Sequence, residues 1–175
     1  MQINASSVIP HPRARVFAAF RDEMPAVAPF MPNVREILVR SRVENGTRMT
    51  IHNEWVGKGE IPKVAQGIVK PDMLRWDDFA EWDSATTACD WSLKLRVFTD
   101  NVRCSGRTVL SDEAGGTRVT LSGTLTLDMR DIPGVPRFLA GTVAPQVERF
   151  VVALVTPNLE QMNTALARYL DSQAR

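Results

Sequence analysis

Hydrophobic and polar positions alternate along most of the middle of this chain, and helical spacing replaces the alternation at both ends. At the start, Ile3, Ala5, Ser7 and Ile9 alternate with Gln2, Asn4, Ser6 and Val8, which predicts a first strand. Pro10-His11-Pro12 ends it. Pro12 suits the opening of a helix, and Val16, Phe17 and Phe20 give that helix an apolar face. A second short helix is expected from Pro25 to Met31, closed by Pro32. From residue 34 the period becomes two. Strands are expected at 35–43, 47–56, 64–70, 73–82, 85–96, 102–112 and 117–128, punctuated by Asn45-Gly46, Asp83-Ser84, Asp100-Asn101 and Gly115-Gly116. After a Pro/Gly segment at 132–141 the apolar positions fall three and four apart again, through Val147, Val151, Leu154, Met162, Leu166 and Leu170. They predict a long helix over 143–172, with a kink at Pro157.

A meander of strands cannot cover its own apolar face, so the last helix must lie across it. The expected class is α+β: one domain over 1–175, a curved antiparallel sheet wrapped around a long C-terminal helix, with two short helices after the first strand. This element order, the Pro-His-Pro-Arg-Ala-Arg-Val-Phe-Ala-Ala-Phe stretch at 10–20 and the Gly/Pro segment before the last helix carry a resemblance. The chain resembles the START/Bet v 1-like (SRPBCC, helix-grip) superfamily, in its bacterial polyketide cyclase/dehydrase-like or lipid-transfer-like members, over nearly its whole length. The resemblance implies a cavity between sheet and terminal helix. That superfamily spans binders and enzymes, so fold alone does not choose between them.

Hairpins say which side chains share a face, because residues directly opposite point the same way. A two-residue turn at Asp83-Ser84 sets Trp76 opposite Trp91, Leu74 opposite Leu93 and Ala80 opposite Thr87, with Trp82 beside Ala85. Asp78 falls on this apolar face, opposite Cys89. Either a bulge turns it to solvent or it lies near the sheet edge, or it is a partly buried carboxylate whose pKa burial raises unless a cation or donors satisfy it. A turn at Ala114-Gly115 sets Gly106 opposite Gly123, which lets the sheet bend and leaves room above the pair. The hairpin at 35–56 reads two ways. A two-residue Asn45-Gly46 turn brings Arg48, His52 and Glu54 inward, a pocket fit for acid–base chemistry. A three-residue Glu44-Asn45-Gly46 turn brings Met49, Ile51, Asn53 and Trp55 inward, with Val39 opposite Ile51, and leaves Arg48, Thr50 and His52 outside. The second register keeps apolar against apolar and is the more self-consistent.

Composition narrows the function classes. The 175 residues are 44% apolar and 23% charged with a net charge of +1, the profile of a globular domain without the basic stripe that nucleic acid requires. The longest purely apolar run, Val151 to Val155, is far too short to span a bilayer, and the N-terminus lacks the pattern of a signal peptide. The expected location is the cytoplasm. Cys104 is expected near Val97, roughly 25 Å from Cys89 at strand rise, so the two cysteines are not expected to bond. His11 and His52 lie far apart, no Cys-x-x-Cys or His-x-x-x-His occurs, and no Gly-x-Ser-x-Gly or phosphate loop is present. No metal or other cofactor is expected.

These readings converge on a pocket. The sheet is expected to supply Met49, Ile51, Asn53, Trp55, Trp76, Asp78 and Trp91, and the long helix Phe150, Leu154 and Asn158. Asn158 either bonds a backbone group loosened by Pro157 or joins Asn53 and Asp78 as the polar end of an apolar site. Residues 132–142 are a candidate lid. The expected function is binding of a hydrophobic small molecule: a lipid, sterol, polyketide or aromatic metabolite. The alternative is a polyketide cyclase, aromatase or dehydratase, which needs Arg48, His52 or Asp78 as acid or base. A third is a protein-interaction domain that uses its exposed sheet.

Overall fold

The computed structural model describes residues 1–58, 70, 74–96, 99–128 and 137–174, and of 137–140, 143 and 154 the backbone only. Strand β1 (Gln2–Ile9) leads to helix α1 (Arg13–Asp22), helix α2 (Met24–Val27) and a 3-10 turn (Ala28–Phe30). Six strands follow: β2 (Val34–Asn45), β3 (Arg48–Gly57), β4 (Arg75–Asp83), β5 (Ala88–Leu95), β6 (Val102–Glu113) and β7 (Gly116–Leu127). Helix α3 (Arg137–Gln173) ends the fold. The strand expected at 64–70 lies outside the described residues apart from Lys70. So do Val97 and the 132–136 part of the candidate lid, whereas 137–142 form the first turns of α3.

The seven strands among the described residues form one antiparallel sheet in the order β1-β7-β6-β5-β4-β3-β2. β1 and β2 follow one another in the chain yet lie at opposite edges. The helices between them carry the chain across, and α1 turns Val16, Ala19 and Phe20 into the core. Pro12 caps α1 and Pro25 opens α2, each where a missing amide proton costs nothing. α3 contributes a buried stripe of Val147, Val151, Val155, Leu159, Leu166 and Leu170. It contains two prolines, Pro145 as well as the anticipated Pro157. This is the helix-grip architecture.

The hairpins place the pocket-side residues, and two registers differ from the sequence reading. β6 and β7 pair as expected, with Gly106 opposite Gly123. In β4–β5 the loop has four residues, Ser84 to Thr87, because the Asp83 carboxylate accepts the Ala85 amide at 2.9 Å and holds a wider turn. Trp76 therefore lies opposite Leu95, not Trp91, and Trp91 lies opposite Ala80. The slip is an even number of residues, so every side chain stays on its expected face. Neither anticipated turn closes the β2–β3 hairpin. Gly46-Thr47 form it, with Gly46 at φ +62°, and Asn45 pairs with Arg48. That turn sets Arg42 opposite Ile51, and register irregularities next to Arg40 and Arg35 then shift the pairing, so Val39 meets Asn53 instead of Ile51. Met49, Ile51, Asn53 and Trp55 are buried. Val39 is not, because the far half of β2 is an exposed edge.

Candidate functional site

A cavity of about 60 Å³ lies between the concave face of the sheet and α3. All four tryptophans line it. Trp55 and Trp76 sit side by side on β3 and β4 with stacked rings, 5.7 Å between centroids. Trp82 is held edge-on by Phe17 of α1 at 5.3 Å. Trp91 lies over the paired glycines and donates its Nε1 proton to Thr108 Oγ1 at 3.1 Å. A Cβ on Gly106 would come within 2.5 Å of Trp91 Cζ2, and one on Gly123 within 2.7 Å of Cη2. The space expected above the glycines is thus filled by an indole. The glycines seat a tryptophan rather than a ligand.

Asp78 is the one acidic side chain in the lining among the described residues. It lies between Asn53 on β3 and Leu93 on β5, turned to the cavity and only partly covered. Asn53 Nδ2 and Trp55 Nε1 both reach its Oδ2, at 3.3 and 3.4 Å, which are long, weak bonds. Burial dominates and pushes its pKa up to about 6, against the smaller opposing effects of those two donors and of His52. Its carboxyl can hold or release a proton near neutrality. Cys89, which the four-residue turn sets opposite Trp82 and not opposite Asp78 as expected, is a buried free thiol raised by burial and by the Asp78 charge, and burial raises Cys104 to about 11. Neither is a nucleophile. The cysteines are closer in register than anticipated, since Cys104 pairs with Leu93, four residues from Cys89.

Of the ten expected site residues, six meet at the cavity: Asn53, Trp55, Trp76, Asp78, Trp91 and Asn158. Three do not. Met49 and Ile51 are buried nearer the hairpin tip, opposite Trp82 and Ala80, where α1 covers the sheet. Phe150 stands on the flank of α3, because Val147 and Val151 take the face that meets the sheet. The Leu154 side chain lies outside the described residues. Several lining residues lie outside the expected set of ten. Ala80, Trp82 and Cys89 share the parity of Trp76 and Trp91 and were legible as inward-facing. Thr108 shares the parity of Cys104 and Leu110, and Met162 falls on the expected helix stripe, whereas Met24 carried no such signal.

Arg48 and His52 are on the opposite, convex face. Arg48 pairs with Glu81 at 3.1 Å, and His52 Nε2 lies 2.7 Å from Asp77 Oδ1 with its ring stacked on Phe79. Glu54, also on that face, is 2% exposed beneath a cluster of arginines. Arg40 reaches it at 2.5 Å, Arg75 at 2.7 Å and Arg96 at 3.2 Å. These guanidinium groups, led by Arg75 and Arg40, hold its pKa down at about 2. Arg40 and Arg75 are 14 and 21 residues from Glu54 in the chain, so only the register reveals the cluster. Among the described residues no group of three or more His, Cys, Asp or Glu side chains is placed to hold a metal, and no helix is long and apolar enough to cross a membrane.

The fold is shared with solved structures of low sequence identity. TTHA0849 from Thermus thermophilus is 23% identical, with all of both chains covered and a TM-score of 0.67. The Zhui aromatase/cyclase from Streptomyces sp. R1128 is 14% identical over 100% of this chain and 96% of its own, with a TM-score of 0.61. Ara h 8.0201 is 17% identical over 98% of each chain, with a TM-score of 0.55. At these identities the likeness establishes the Bet v 1-like fold and no activity. No curated protein matches in sequence. Residues 4–156 match the family described as protein of unknown function, DUF2505, and the chain belongs to that family.

Proposed function

We propose that this protein binds a hydrophobic small molecule in the cavity between the sheet and α3. The observation that carries the reading is the lining: four tryptophans on one concave face, with Asp78, Asn53 and Asn158 as the few polar groups that orient a ligand. The fold neighbour named as an aromatase/cyclase is consistent with an aromatic or polyketide-like occupant. At about 60 Å³ the cavity is smaller than the ~300–1000 Å³ usual for drug-sized ligands. It takes a small ring or a chain end as it stands. A larger ligand needs Met24 and Met162 to move, which their flexible, unbranched side chains allow.

Titration with naphthalene and indane while intrinsic tryptophan emission is followed tests this. Saturable quenching in the wild type, lost in Ala80→Phe with circular dichroism unchanged, is the expected result. Emission that never saturates ends the proposal. An enzymatic reading rests on one observation, the Asp78 carboxyl poised at about 6, where a general acid or base works best near neutrality. Arg48 and His52 cannot serve it from the convex face. If a cyclase or dehydratase activity is found, Asp78→Asn should lower its rate by about a hundredfold or more and His52→Ala should leave it nearly unchanged.

A further inference from the structure

An apolar cavity gains nothing from an unneutralised carboxylate, so the presence of Asp78 constrains what fits beside it. Among the described residues no lysine, arginine or histidine lines the cavity. The arginines that sit near this part of the sheet are on its other side, committed to Glu54, Asp77 and Glu81. The two donors that reach Asp78 are neutral, and both bonds are long. Around the carboxylate stand indole rings, the side chains whose electron-rich faces attract cations most strongly. Trp55 touches it through Nε1, Trp76 stacks on Trp55, and Trp82 and Trp91 close the same cavity. One carboxylate inside an aromatic wall is the arrangement that recognises an ammonium group.

We infer that the cavity is built for a ligand with a cationic amine or quaternary ammonium head carried on an apolar body, the head held by Asp78 and the indole faces. This rests on the hydrophobic-binding reading above and names the ligand class. A charge on the ligand supplies what the described lining lacks. It neutralises the carboxylate away from bulk water, where the attraction is strong, and it repays the desolvation that Asp78 suffers. A neutral ligand leaves that penalty standing, or requires Asp78 to be protonated.

The pH dependence follows from what surrounds Asp78. Leu93 lies opposite it on β5, Cys89 further along that strand is held as a neutral thiol by burial, and His52 of β3 acts on it weakly through the sheet. α1 and α2 present Phe20 and Met24, and α3 presents Val155, Asn158, Leu159 and Met162, none of which titrates. Binding of a permanent cation should therefore weaken as pH falls through the range where Asp78 takes up its proton, around 6.

The experiment compares phenyltrimethylammonium with tert-butylbenzene, its uncharged isostere, by tryptophan fluorescence between pH 5 and 8. The inference expects the cation to bind at least about tenfold more tightly at pH 7.5. It expects that preference to shrink below pH 6 and to disappear in Asp78→Asn, while tert-butylbenzene affinity holds level or rises as the pH falls. Equal or tighter binding of tert-butylbenzene at pH 7.5 overturns the inference and leaves the hydrophobic-binding reading in place. Binding of neither compound, nor of naphthalene, overturns both. The wild-type pH series decides the matter even if Asp78→Asn does not fold.

Discussion

Asp78 and Gly106 make the sharpest demands on single positions. The Asp78 pKa is raised from 3.8 in the unfolded chain to about 6 in the fold, so the folded state holds its proton more tightly. Stability linked to this group is greatest below the unfolded value and is lost as pH rises through about 6. Asp78→Asn should therefore stabilise the protein at pH 7.5 by about 1–3 kcal/mol and do almost nothing at pH 3.5, as read from urea midpoints at the two pH values. No gain at pH 7.5 would mean that the carboxylate is well solvated. Gly106→Ala should destabilise by about 1–3 kcal/mol or more, because the added methyl displaces the Trp91 ring and meets the Ser122 carbonyl. The inward position of Asp78 was legible from alternation alone. The role of the glycine pair was not, since absent side chains in a sequence look like empty space until the residue that fills it is located.

Elements were easier to read than the pairings between them. α1, its proline start and the β6–β7 register followed from local patterns, because each depends on neighbours in sequence. The β4–β5 register failed because a single side chain, Asp83, widens the turn. The β2–β3 pairing failed because the turn closes at Gly46-Thr47, one residue later than read, and because irregularities next to Arg35 and Arg40 shift the register again. Long-range fastening was invisible for the same reason. The Tyr169 hydroxyl near the end of α3 donates to Glu23 Oε2 at 2.5 Å, and Arg15 grips the same carboxylate at 2.7 and 2.9 Å. The guanidinium and the phenol hydrogen bond hold the Glu23 pKa down. Tyr169→Phe removes one bond of about 1 kcal/mol and should lower the melting temperature by roughly 2–4 °C in a chain of this size. An unchanged melting temperature would show that α3 is held by its apolar stripe alone.

For the molecule as a whole, two carboxylates on opposite faces of one sheet, Asp78 partly covered and Glu54 buried, pull stability in opposite directions with pH. Asp78 costs stability above about 6. Glu54, depressed from 4.5 to about 2, contributes stability that is complete above 4.5 and fades as pH falls toward 2. Glu54→Gln should cost about 1–3 kcal/mol at pH 7 and progressively less in acid, which denaturation at pH 7 and pH 3 will check. An equal loss at both values would sink the ionic account. The Arg40 that covers Glu54 also sits where the pairing of β2 slips, and β2 is an outer margin of the sheet. An open sheet exposes unpaired amides and carbonyls at its margins, ready to zip onto another copy of themselves. Here a broken register and the exposed charges of Arg35, Arg40 and Arg42 interrupt that row, although Val39 and Val43 beside them are exposed. The guanidinium that neutralises a buried acid on one strand is also one of the charges set along that margin, where a flat apolar row would invite pairing with a second copy.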